Sequence, residues 1–227
     1  MIQVAAEWNP MQSALKSLLQ DEDRFAEAIA LCLRMHALLH CAGVSGSQTQ
    51  TCMDAVWDGL SQDAFAAMPG AGGHSIAWNI WHITRIEDIT ANILIAEIKQ
   101  VLTAEWLDRL NVTVRDTANA MDVHQISRFS RSSCMEEVRS YRNAVGQRTR
   151  ERLRTLAPED LHRVMRSGSM NRVQAEGGVI DHPESIWLLD FWRKKTVAGI
   201  LLMPLTRHQV VHLNECLKIK LKVATAK

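Results

Sequence analysis

Residues 74–98, HSIAWNIWHITRIEDITANILIAEI, run on without a glycine or proline, and no other stretch limits the folds open to this chain as strongly. Ile76, Ile80, Ile83, Ile86, Ile93 and Leu94 recur at spacings of three and four, with Trp78 and Ile89 close by, so a broad apolar face follows a helical period. β-Branched residues are frequent, which taken alone favours a strand. The length of the run and its lack of breakers favour a buried helix instead. A helix apolar on more than one side needs other helices around it.

The rest of the chain supplies them. Residues 11–43 carry apolar positions at Leu15, Leu18, Leu19, Phe25, Ile29, Leu33 and Leu38, which predicts one long first helix with Gly43 as its C-cap. Thr51 and Asp54 have the spacing of a weak capping box before CMDAVWDGL. The breaker MPGAGG (68–73) precedes the apolar helix; it follows no strand, so it is not read as a phosphate loop. Residues 107–132 are polar and weakly periodic, a long connection with a short helix near Val123–Phe129. Ser132 or Ser133 is placed as the cap of a charged helix that stops at Pro158. SGSMNRVQAEGGVIDH is read as loop, followed by a helix from Pro183, capped by Asp181 and broken at Pro204. Thr206 is placed as the cap of the final helix. Four main helices of about 18–30 residues and no strand run predict an all-α, up-down four-helix bundle with additional short helices and long loops, a single domain over residues 1–227.

Composition excludes several function classes. The net charge of +1, with no basic stripe, lacks the electrostatic footprint of a nucleic-acid binder. The apolar stretches are too short to span a bilayer, and the N-terminus shows no signal-peptide pattern. Five scattered cysteines, Cys32, Cys41, Cys52, Cys134 and Cys216, form no C-x-x-C motif and point to a reducing, cytoplasmic setting.

The chemistry rests on histidine. His208 and His212 lie one turn apart in MPLTRHQVVHLNE, and His36 and His40 repeat that spacing in RMHALLH. With nine histidines in 227 residues, chance supplies roughly 0.3 such pairs per chain, so the spacing is weak evidence by itself. A tight site needs a third ligand, for which His82 is the candidate, although an isolated histidine on an apolar face is by default a core residue. Three neutral imidazoles suit zinc or nickel and leave a position open for water or substrate. His74 and His36 are candidate pocket residues, with packing as the plainer reading of each. Arg85, one turn from His82, is a candidate for an anionic substrate group or a structural salt bridge. Asn214, Glu215 and Asn92 are candidates to orient a ligand ring. The tryptophans are core residues by default, with some available to line a pocket, and Cys216 reads as a small buried hydrophobe. The single Glu-x-x-His, Glu159–His162, does not make a di-metal carboxylate site.

The segments WHITRIEDITAN and MPLTRHQVVHLNE, with a histidine-rich first helix and TLAPEDL before the last third, resemble the DinB superfamily, also called DinB/YfiT-like. The resemblance implies a four-helix bundle of unusual topology. It also implies a three-histidine metal centre, whose ligands fall on His82, His208 and His212. Relatives include metal-dependent transferases that join bacillithiol, mycothiol or glutathione to electrophiles, and a mycothiol-dependent isomerase. The expected function is therefore that of a metal-dependent enzyme with a zinc or nickel ion and a low-molecular-weight thiol. Its reaction would be thiol transfer to a small-molecule substrate or metal-assisted hydrolysis. The rivals are a non-catalytic metal-binding or stress-response protein and a structural homodimer without metal.

Overall fold

The computed structural model describes residues 2–70 and 73–225. Met1, Ala71 and Gly72 of the MPGAGG breaker, and Ala226 and Lys227 of the basic tail, lie outside the described residues. The chain is all-α: no strand occurs among the described residues, only an isolated bridge between Val164 and Thr196. Its four longer helices are Phe25–Leu39, Ile76–Asp88, Met135–Arg154 and His208–Thr225. No helix among the described residues is long and apolar enough to cross a membrane.

The Ile76–Asp88 helix is the axle of the bundle. It runs on as a π-helical segment, Ile89–Ile95, and every residue from Ile76 to Ile95 is buried. Its main neighbours are the Met135–Arg154 and His208–Thr225 helices. The Ser75 hydroxyl caps it, accepting the Trp78 N–H at 3.0 Å. Burial on all sides requires each polar group on the axle to find a partner inside the protein. Thr84 and Thr90 donate back to the Ile80 and Ile86 carbonyls at 2.6 and 2.7 Å. Asp88 accepts from Arg85 (2.9 Å), the Tyr141 hydroxyl (2.6 Å) and Asn92 (2.8 Å), and also from the backbone N–H groups of Val101 and Leu102. That carboxylate thereby ties the connection after the axle back to the bundle.

Several boundaries differ from the sequence reading, each for a local reason. The long first helix is two, Asn9–Leu18 and Phe25–Leu39, packed on each other. Asp21 is extended, and its side chain accepts the Asp23 N–H, a local bond that competes with helix. The left-handed glycine is Gly46 rather than Gly43, and the second of these helices already ends at Leu39. Residues Ser167–Ala175, read as loop, are helical. His182 rather than Asp181 caps the Pro183–Arg193 helix, and the chain then breaks at Thr196, whose hydroxyl caps Val197–Leu202. Cys134, not Ser132 or Ser133, occupies the cap position of Met135–Arg154. Pro204 does not separate two helices by a loop: it sits in a π turn, Met203–Arg207, that leads straight into His208–Thr225. The Thr206 hydroxyl donates to the Leu201 and Leu202 carbonyls instead of capping. The Thr51–Asp54 capping box is present as read, the short helix expected near Val123–Phe129 runs from Val123 to Ser132, and the polar connection holds a further helix, Ala104–Leu110.

Gly146, in the middle of Met135–Arg154, lets a second helix approach closely. A Cβ at this position would collide with the ring of His40, which its bond to Glu87 holds in place. In an ordinary helix interior Gly→Ala stabilises by about 1 kcal/mol. Gly146→Ala is expected to reverse that sign and destabilise by about 1–3 kcal/mol through overpacking. Urea unfolding followed by circular dichroism reads the difference; a stabilised variant would show that the contact is absent.

Candidate metal centre

Three histidines from two helices converge. One ring nitrogen from each of His82, His208 and His212 lies within 4.8 Å of the others. His82 comes from the axle and is buried; His208 and His212, one turn apart on the last helix, are partly buried. The Nε2 atoms of His82 and His208 are 3.1 Å apart. Two imidazole nitrogens on one tetrahedral zinc ion, each about 2.0–2.1 Å from it, stand roughly 3.3 Å from one another.

The protein sets the tautomers. His82 Nδ1–H donates to the Thr117 carbonyl at 2.7 Å. His212 Nδ1–H donates to Asn79 Oδ1 at 2.7 Å, and the Asn79 amide is oriented by its own bond to the Ser75 carbonyl at 2.8 Å. Both rings are thus left with an Nε2 lone pair directed away from these acceptors, as a ligating imidazole requires. His208 differs: its Nδ1 is buried and has no hydrogen-bond partner among the described residues. Burial pushes all three rings toward the neutral form, aided for His208 and His212 by the neighbouring imidazoles. His82 falls to about 4, His212 to about 3, and His208 well below its usual range. The donor set is neutral, nitrogen-only and free of competing protons at neutral pH, which fits a borderline divalent cation such as zinc or nickel.

The connection beyond residue 110 supplies the wall. The carbonyls of Asp116, Thr117 and Ala118 accept in turn from Trp81 Nε1 (3.0 Å), His82 Nδ1 (2.7 Å) and Trp78 Nε1 (3.0 Å). Ala118 has a φ of 61°, a left-handed conformation costly for a residue with a Cβ. Trp78 stacks on His82 at 4.7 Å and on His74 at 3.8 Å, so three rings form a column from the centre to the surface. His74 is exposed at its outer end.

The other sequence candidates sit elsewhere. Arg85 is fully buried and held by Asp88, Tyr141, Gln100 and the Arg115 carbonyl, a structural ion pair with no donor group aimed at a substrate. Asn214 donates to the Ile2 carbonyl, Asn92 to Asp88, and Glu215 pairs loosely with Lys218, so none of them orients a ligand ring. Cys216 is buried, which pushes its thiol far up and keeps it protonated. His162, of the Glu-x-x-His, lies on the surface beside Glu22.

His36 is not at a pocket mouth. His36 and His40 donate to the two oxygens of Glu87 at 2.8 and 2.9 Å, and all three side chains are fully buried. These donors could also hold an ion, but two observations favour a hydrogen-bonded cluster. Arg142 Nη1 donates to the same carboxylate at 2.8 Å and supplies its counter-charge. The two imidazoles stack nearly parallel, at 16°, rather than converging on a point.

Asn79 and Thr117 were not singled out in the sequence. Asn79 had a usable signal, a polar residue three before His82 in an otherwise apolar run. Thr117 had none, because its contribution is a backbone carbonyl.

A family model for the DinB superfamily matches residues 47–216, well over half of the chain, and the matched span contains all three histidines. No curated protein matches the chain.

The hold on His212 gives a direct check. Asn79→Ala is expected to weaken zinc binding about 10–100-fold, the usual cost of losing such a partner. Isothermal titration of the metal-free protein measures this, and unchanged affinity would mean that Asn79 does not set the ring.

Proposed function

Because the chain belongs to the DinB superfamily, we propose that His82, His208 and His212 hold one divalent cation, zinc or nickel, in an open three-imidazole centre serving a metal-dependent enzyme. The observation that carries this reading is the convergence of the three rings, two of them anchored through Nδ1 by Thr117 and Asn79. The reaction best suited to the centre is transfer of a low-molecular-weight thiol to a small electrophile. When bound, such a cation supplies Lewis acidity, which favours the thiolate over the thiol at neutral pH.

The chain's own residues prepare that chemistry. Three neutral donors leave the cation's charge uncompensated, so the centre attracts an anionic sulfur more strongly than a carboxylate-ligated one would. Thr117 and Asn79 hold two rings in the ligating tautomer before anything binds. Trp78 covers one side of His82 and keeps water from that face. His74, at the exposed end of the column, is placed to meet a substrate approaching from solvent. Metal-assisted hydrolysis is the second reading: a cation held by the same neutral donors would supply the Lewis acidity that activates water.

Elemental analysis of protein purified without a metal-affinity tag, beside a His208→Ala/His212→Ala variant, tests the centre. About one equivalent of zinc or nickel in the wild type, lost in the variant, is the expected result. Absence of metal from both, with melting unchanged by added zinc or nickel, would remove the basis of the proposal. In metal-loaded protein, electrophile consumption that depends on added thiol supports transfer; turnover without thiol supports hydrolysis.

A further inference from the structure

The last helix is entered through an irregular turn rather than a regular α-helical one. The π turn Met203–Arg207 precedes His208, and Pro204 within it has no N–H to give. Both His208 and His212 hang from this irregular entry, yet a metal centre needs its ligands placed to within about 0.5 Å. A side chain bonded outside the helical ladder can fix how this first turn is rotated.

Gln209 occupies that position. It is fully buried, and its amide makes bonds in two directions. Nε2 donates to Glu87 Oε2 at 2.8 Å and lies 3.4 Å from the Pro204 and Leu205 carbonyls of the π turn. Oε1 accepts from Arg142 Nη2, whose partner nitrogen Nη1 also binds Glu87. A single amide therefore joins the turn's own carbonyls to a carboxylate on the axle five residues from His82. Gln209 follows His208 directly and precedes His212 by three, so turning the helix to break these bonds swings both rings away from His82.

We propose that Gln209, clamped between Glu87 and Arg142, is a positioning residue for the metal centre. It sets the rotation of the last helix and hence the distance of His208 and His212 from His82. This rests on the reading that the three histidines bind a metal. His36 and His40, through Glu87, belong to the same clamp, which explains a buried histidine pair that the centre itself does not use.

Cobalt(II) titration, followed by visible absorption and by melting, tests the role in wild type, Gln209→Met, Gln209→Asn and Leu217→Ala. Gln209→Met keeps the volume and removes the bonds; Gln209→Asn keeps the amide but shortens its reach. Leu217→Ala is a packing control on the same helix, one that loses a buried side chain away from the clamp. Gln209→Met is expected to bind cobalt about 10–100-fold more weakly with a shifted absorption band, and Gln209→Asn to fall between it and wild type. Leu217→Ala should melt lower yet keep the wild-type band and affinity. A wild-type band and affinity in Gln209→Met would overturn the positioning role alone. Should Gln209→Met not fold, the same result in Gln209→Asn would overturn it. Wild-type protein that takes up no cobalt would overturn the metal reading and this inference with it.

Discussion

Glu87 is the point at which the four longer helices meet. Its carboxylate, carried by the axle, receives His36 from Phe25–Leu39 and His40 just past the end of that helix, Arg142 from Met135–Arg154 and Gln209 from His208–Thr225. Burial alone pushes such a group toward its neutral form. The donors of His40, Arg142 and His36 outweigh that and hold it ionised, well below the usual carboxylate range. The cluster closes with one negative charge, on Glu87, and one positive charge, on Arg142. Its two imidazoles are driven neutral, chiefly by burial.

An ion pair of this kind adds little net stability over an apolar core of the same shape, but breaking it leaves a bare buried charge at a cost of about 3–5 kcal/mol. It therefore acts as a key: helix packings that slide or rotate an element out of register strand a charge in the core. Greasy side chains such as the isoleucines of the axle do not discriminate so sharply, since they tolerate small shifts. The second buried cluster, Arg85–Asp88–Tyr141, applies the same constraint from the residue next to Glu87, on another face of the axle, and extends it to the connection at Val101–Leu102. The placement of the three candidate ligand rings draws on these two locks. Neither touches the three rings; the Glu87 cluster ties together the two helices that bear them, and the Arg85–Asp88–Tyr141 cluster holds the axle.

The centre itself shows a division of labour between backbone and side chain. His82 is anchored by a carbonyl, which a strained left-handed Ala118 and the Asp116 side chain help present through a tight local turn. His212 is anchored by an amide side chain on the axle. His208 has no such anchor and depends on the placement of its helix, which is why Gln209 beside it carries weight.

Much of this was legible in the residues themselves. The unbroken apolar run around His82 could only be a helix buried on several sides, because no strand of that length fits its period and no surface helix is apolar all round. The i, i+4 pair on the last helix and the lone His82 were visible as candidates, since helical spacing fixes which side chains share a face, but it was the resemblance to the DinB superfamily that joined the three imidazoles into one set. What only the tertiary structure decided was which of two equally spaced pairs converges with a third ring. His36/His40 and His208/His212 look alike in sequence, and they differ because the first pair meets the Glu87 carboxylate, already paired with Arg142, while the second meets His82, with His212 anchored by Asn79. Breaks at Asp21 and Thr196, the π turn at Pro204 and the anchoring carbonyls also lay beyond sequence reading. Each depends on hydrogen bonds whose partner is set by local competition or distant packing, and neither leaves a periodic trace in the chain.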